Sequence, residues 1–194
     1  MHGRETARAS RSLTSVRAHG QLAGLLQADP DQRPGLIMRT LLDALELKVP
    51  PLLLAAGCGA AMWGVARAAP GLQLQLAART PIAVALLTLG AAVGIAGVVG
   101  FRARRTTVNP TRPAAATSLV QHGVYRWTRN PMYLGLALGL AGVAVGLSNL
   151  GAMVLLPAFV AWIDRLQIVP EERALLANFG AAFTDYTARV RRWL

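Results

Sequence analysis

The stretch VYRWTRNPMYLG, residues 124–135, sets two arginines, two tyrosines and a tryptophan within nine residues against the mouth of an apolar run. From Asn130 to Ile163 the chain carries 34 residues without Asp, Glu, Lys or Arg. As a helix that run is about 51 Å long, too long for one crossing of a hydrocarbon core roughly 30 Å thick. Ser148-Asn149-Leu150-Gly151 breaks it, so it reads as two antiparallel helices. The second has to continue through Asp164 and Arg165 to about Val169 in order to cross, with Pro157 bending it. Asp164 and Arg165 then sit near its end, where side chains reach headgroups.

Upstream, Val49–Ala66 reads as a first span and Thr80–Phe101, 22 uncharged residues, as a second. Arg67–Arg79 is a short loop around Pro70-Gly71, and FRARR (101–105) closes the second span. The expected fold is therefore all-α: an integral membrane bundle of about four transmembrane helices, followed by an amphipathic helix on the cytoplasmic side. Residues 45–194 form the membrane domain, with its polar half at about 102–194. Residues 1–44 form an Arg-rich tail or surface extension, with Leu36–Leu47 as an amphipathic helix lying on the membrane and Met38 as an alternative start. Four spans place both termini on one side. Of 20 Lys and Arg, only Arg67 and Arg79 fall on the other, leaving 18 with the termini. The positive-inside tendency makes that side the cytoplasm.

Composition narrows the function classes. Hydrophobic residues make up 54% and charged ones 15%, with a mean hydropathy of +0.41; a soluble domain carries about 25% charged residues. The net charge of +11 does not point to nucleic acid, because the arginines flank apolar runs instead of forming a basic face. The single cysteine, Cys58, excludes a disulfide framework, and the first apolar run starts too late and runs too long for a secretory signal. Gly90, Gly94, Gly97, Gly100 and Gly135, Gly139, Gly142, Gly146 line one face of each of two spans, the spacing that lets membrane helices approach closely. Neither row follows a strand, as a dinucleotide-binding loop requires.

Asn130 is a good helix cap and Pro131 a good first residue, so the pair starts the third span. Arg126 and Arg129 then lie in an interfacial loop, where single arginines and the aromatics Tyr125, Trp127 and Tyr133 anchor a protein at the headgroups. The density of the group asks for more. Forty residues on, PEERALLANFGAAFTDYTARVRRW (170–193) starts a helix at Pro170 with Glu171 and Glu172 in a first turn that favours acids. Its apolar stripe, Leu176, Phe179, Phe183, Tyr186, Val190 and Trp193, extends back onto Glu172, a costly place for a carboxylate without a cationic partner. Gly180 is placed to bend or split this helix. Arginines of one cytoplasmic loop thus face glutamates of another beside an opening into lipid. An adenosyl-amino acid fits there: arginine for its carboxylate, glutamate for ammonium or ribose hydroxyls, aromatics for adenine or a sulfonium.

TTVNP (106–110), LVQHGVYRWTRNPMYLG (119–135) and RLQIVPEERALLANFGAAFTDYTARVRRW (165–193) resemble the membrane methyltransferases of the isoprenylcysteine carboxyl methyltransferase and phosphatidylethanolamine N-methyltransferase superfamily. LELKVPP (45–51) resembles the start of bacterial members. The resemblance implies an enzyme of the bacterial inner membrane that transfers a methyl group from S-adenosylmethionine, leaving S-adenosylhomocysteine. It implies a cofactor site at the cytoplasmic face and an acceptor tunnel open to the bilayer. The acceptor is a phospholipid amine, an isoprenoid carboxylate, or a small hydrophobic thiol or carboxylate. Carried onto this chain, the cofactor-binding candidates are His122, Gly123, Tyr125, Arg126, Arg129, Asn130, Pro131, Tyr133, Gly135, Glu171 and Glu172. The catalytic candidates are Arg129, Glu172 and Tyr133, with Glu172 or Tyr133 accepting a proton from an amine or thiol. No metal is expected. Asn130 stands where the isoprenylcysteine enzymes usually carry histidine, so that position cannot titrate. His122 reads as a solvated loop histidine or a cofactor contact. Arg189, Arg191 and Arg192 either bind anionic lipid or close over the cofactor. The competing class is a non-catalytic scaffold or assembly factor that keeps the fold. Paired intramembrane histidines for haem are missing, as are mid-bilayer charges for a transport path.

Overall fold

Pro50-Pro51 opens the first helix, because a proline at the first helical position gives up an N–H that has no partner there anyway. In the computed structural model, which describes residues 46–103 and 118–194, α1 runs Pro51–Ala68. Arg67 in its last turn lies 5.4 Å over the Trp63 ring. After a 3₁₀ turn at Pro70–Leu72, α2 spans Arg79–Ala103 and α3 spans Pro131–Leu147. α4 covers Leu150–Ile163, followed by a π turn at Asp164–Ile168, α5 at Val169–Phe179 and α6 at Ala181–Arg189. No strand occurs among the described residues; Gln73 and Asn149 form one isolated bridge. The expected surface helix at 36–47, the motif at 106–110 and the extension 1–44 lie outside the described residues, apart from Glu46 and Leu47.

The turn between α3 and α4 is fastened to the loop after α1. Ser148 takes a left-handed conformation (φ 50°, ψ 40°), and the Asn149 side chain accepts from the Ala152 N–H at 3.2 Å while donating to the Ala69 carbonyl at 2.9 Å. Gln73 Nε2 reaches the Leu147 carbonyl at 2.9 Å. The break expected at 148–151 is therefore a capped turn that satisfies the helix ends.

Among the described residues, three helices are long and apolar enough to cross a membrane: α1, α2 and the continuous helix Leu150–Phe179. α3 is apolar but has 17 residues, about 26 Å. Only 11% of the apolar window of α1 and 17% of that of α2 is buried within the protein. Such an apolar exterior suits lipid and not water.

The helix expected to start at Pro170 is instead the continuation of α4. The π turn bonds Val169 N–H to the Asp164 carbonyl, five residues back. Pro170 has no N–H to offer the Leu166 carbonyl, and the backbone N–H of Leu47 donates to that carbonyl at 3.1 Å instead. Glu171 and Glu172 consequently lie inside a 30-residue helix, not at a free N-terminus, and the helix dipole does not account for them. That helix is about 45 Å long, so its last third extends past a 30 Å hydrocarbon layer. At Gly180 the chain turns (φ 50°, ψ −123°) and the apolar stripe divides: Phe183 and Tyr186 are buried, whereas Leu176 is exposed. Gly180→Ala, in a conformation that side chains resist, is expected to lower stability by roughly 1–3 kcal/mol, read as a fall in the thermal unfolding midpoint in detergent.

α2 and α3 meet along their glycines. A Cβ on Gly90 would lie 2.6 Å from the Gly135 carbonyl, and one on Gly135 would lie 2.6 Å from the Gly90 carbonyl. Gly142 sits equally tight against the Ala83 carbonyl at 2.9 Å. On its other side α3 packs on α1 and α4 through Leu140, Ala144, Met62 and Phe159. This packing fixes the head of α3 beside the projecting end of the α4–α5 helix.

Candidate active site

Residues 118–130 lead into α3 through a 3₁₀ turn at Gly123–Arg126. Gly123 has φ +61°, which suits glycine. The turn sends Tyr125 inward, where its hydroxyl donates to the Gly97 carbonyl at 3.3 Å and its ring meets Phe101 edge-on at 5.3 Å. Gly100 leaves room for that ring, since a Cβ there would touch it at 3.1 Å. The Tyr186 hydroxyl donates to the Tyr125 carbonyl at 2.8 Å. Burial raises the Tyr125 phenol well above its ordinary value. Burial also pushes Tyr186 up to about 12, against the opposing pull of Arg129.

Arg129 is the hub. Its Nη2 donates to Glu172 Oε1 at 2.8 Å, with the two side chains 13% and 18% exposed. Its Nη1 donates to the carbonyls of Thr187 and Val190, each at 3.2 Å. Its backbone N–H donates to the Arg191 carbonyl at 3.0 Å. The other Glu172 oxygen accepts from Arg192 Nη2 at 2.6 Å. Tyr133, in the first turn of α3, donates its hydroxyl to Glu171 Oε1. Asn130 precedes α3 but does not cap it with its side chain. Its carboxamide donates to the Arg192 carbonyl at 3.0 Å, so the expected cap is given up for a tertiary bond.

A cavity lies between these elements, with Tyr125, Arg129, Asn130, Glu171, Glu172 and Tyr186 among its walls. Arg129 Nε and Ser118 Oγ are buried in these walls with no hydrogen-bond partner. A buried donor without a partner costs about 1–3 kcal/mol, and a ligand's acceptor at the cavity would relieve that cost. The open space is about 50 Å³, so a ligand of nucleoside size seats only as the walls part.

Residues 78–182 match the phospholipid methyltransferase family. The chain belongs to that family. It matches none of the curated proteins and none of the solved structures with which it was compared. Both the loop carrying Arg129 and the helix carrying Glu171 and Glu172 fall inside the matched residues. Family membership makes this chain a membrane methyltransferase.

In this member of the phospholipid methyltransferase family the sequence-predicted residues divide into three groups. Tyr125, Arg129, Asn130, Glu171 and Glu172 line the cavity, and Tyr133 joins them through Glu171. His122 and Arg126 do not: they open onto a separate surface recess with Gln121 and Arg189, and Gly123 supplies their turn. Pro131 and Gly135 face α2, against Gly97 and against Gly90 and Gly94 respectively. Two contributors, Asp164 and Thr128, were not singled out from the sequence as site residues, whereas Arg192 reads there, with Arg189 and Arg191, as binding anionic lipid or closing over the cofactor. Asp164 accepts from Arg192 Nη1 at 3.1 and 3.2 Å. Thr128, fully buried, donates to the Arg192 carbonyl at 3.3 Å. Of the final arginines, Arg192 turns to the site while Arg189 and Arg191 stay exposed. The hydrogen bond to Glu172, first among its contacts, raises the Arg192 guanidinium above its ordinary value.

Proposed function

We propose that this chain transfers a methyl group from S-adenosylmethionine to the amine of a phospholipid at the membrane face that carries 18 of its 20 Lys and Arg, the cytoplasmic face of a bacterial inner membrane. The observation that carries the reading is the family match over most of the residues that build the cavity, all but Phe183 and Tyr186. The donor set suits an adenosyl-amino acid. Arg129 lines the cavity and keeps an unpartnered Nε–H that suits a carboxylate, and Tyr125, Phe101 and Phe183 supply aromatic surface for adenine or a sulfonium. S-adenosylmethionine, when bound, would supply an electrophilic methyl group: a C–N bond to the amine would form as the C–S bond breaks, with S-adenosylhomocysteine leaving and one N–H proton lost.

The chain's own part is positioning, which is worth up to roughly 7–11 kcal/mol in well-oriented reactions. An apolar groove of about 600 Å³ runs between α1, α2 and α3. Ala55, Leu87 and Leu140 line it, and Arg102 stands at its polar end. It suits an acyl chain, with Arg102 near the depth of a lipid phosphate. Glu172 has both carboxylate oxygens on guanidinium groups, whereas Glu171 bonds to the Tyr133 hydroxyl. The carboxylate better placed to take the proton is therefore Glu171, with Tyr133 orienting it. Incubating the detergent-purified protein with methyl-labelled S-adenosylmethionine and phosphatidylethanolamine nanodiscs is expected to label the lipid fraction. Label appearing only on isoprenoid carboxylates or thiols added alongside would replace the acceptor, and label in none of them would overturn the reading.

A further inference from the structure

The segment Val190–Leu194, which follows α6, bonds to the loop and the acids that line the cavity. The 128–130 loop pins it by its main chain. Arg129 donates to the carbonyls of Val190 and Arg191, and Asn130 and Thr128 both donate to that of Arg192. The side chains of the segment then reach the opposite wall. Arg192 grips Glu172 through Nε at 3.3 Å and Nη2 at 2.6 Å. Its Nη1 takes both oxygens of Asp164, and Trp193 Nε1 donates to the same carboxylate at 3.3 Å.

The π turn explains how one guanidinium reaches both acids. Asp164 and Glu172 are eight residues apart, which in an unbroken α-helix places them about 80° from one another around the axis. A π turn takes up one extra residue, so the pair behaves as if seven apart, two turns of one face. Asp164 opens that turn, and both carboxylates point at Arg192.

We infer that Arg192 is a positioning residue of this site. It holds Glu172 in register with Arg129 and ties the 190–194 segment to the helix that carries Glu172. The inference rests on the proposed use of S-adenosylmethionine, and a fork-shaped cation is required because a lysine cannot hold two carboxylates by paired hydrogen bonds.

The test is S-adenosylhomocysteine binding to the full chain by calorimetry, with dissociation followed in stopped flow. Arg192→Gln is expected to raise Kd about 10-fold or more, chiefly by faster dissociation, and Arg192→Lys to recover less than half of that loss on a logarithmic scale. Arg191→Gln, an exposed neighbour, is expected to leave Kd within about 2-fold of wild type. In a Glu172→Gln background Arg192→Gln adds less than about 2-fold, because it acts through Glu172; a purely structural arginine would multiply the losses. Should Arg192→Gln fail to fold, Asp164→Asn loosens the same bridge from the other side and is expected to raise Kd about 3-fold. Wild-type affinity in the Arg192 and Asp164 variants, or multiplying losses in the double variant, would overturn the inference alone. A folded wild type that binds no S-adenosylhomocysteine would overturn the proposed donor, and the positioning role with it.

Discussion

Arg129→Ala is expected to lower kcat/KM for methyl transfer at least roughly 100-fold and to weaken S-adenosylhomocysteine binding by a similar factor, the scale for truncating one member of a buried charge pair. The substitution removes the 2.8 Å bond to Glu172 and both bonds to the carbonyls of Thr187 and Val190. It also removes the one unpartnered guanidinium N–H in the cavity wall. Arg192 stays on Glu172, so the carboxylate is not left alone, and the loss in stability stays near 3 kcal/mol, the low end for a broken buried pair. Arg129→Lys is expected to behave almost as badly, because an ammonium cannot span a carboxylate and two carbonyls at once. Steady-state kinetics beside thermal unfolding separate the two losses. A variant that keeps more than a tenth of wild-type kcat/KM would show that Arg129 is structural only.

Gly135→Val is expected to destabilise the fold by about 3 kcal/mol or more, the upper range for overpacking. The Cβ atom has no free space: it would sit 2.6 Å from the Gly90 carbonyl and 2.8 Å from the Gly94 nitrogen. Those are backbone atoms, which no rotamer change can move aside. Gly139→Ala is the matched control in the same row. A Cβ there meets nothing within 4 Å, and alanine favours a helix over glycine, so stability should hold or rise slightly. The two unfolding midpoints in one detergent decide the matter. Equal behaviour would mean that the α2–α3 contact is looser than these distances require.

The glycine rows were legible in the sequence because helix packing leaves a local signature: small residues repeat at the period of the face that packs. The apolar runs and their break at 148–151 were legible for the same reason, since the bilayer imposes length and composition on every span. The course of the chain at Pro170 was not. Proline before two acids reads as a helix start, whereas the helix runs on through the π turn and the Leu166 carbonyl takes a distant N–H, from Leu47. Asn130 misled in a similar way, because its amide has two uses and the Arg192 carbonyl, 62 residues away, competes for it. The pairing of Arg129 with Glu172 could be anticipated, since a carboxylate on a buried stripe needs a cation. Asp164 belongs to no stripe, and nothing local marks it as a partner of Arg192, which the sequence offers only together with Arg189 and Arg191. His122 and Arg126 adjoin Tyr125 in the sequence, but the 3₁₀ turn that sends Tyr125 inward leaves both exposed.

The central claim, that the cavity beside Arg129 holds S-adenosylmethionine, is tested most directly by titrating S-adenosylhomocysteine into the detergent-purified full chain in a calorimeter, with Arg129→Ala alongside. Saturable micromolar binding at one site per chain, lost in the variant while its helical circular dichroism persists, is the predicted result. A well-folded wild type that gives no binding heat and does not retain radiolabelled S-adenosylmethionine, or binding that survives Arg129→Ala unchanged, would contradict it.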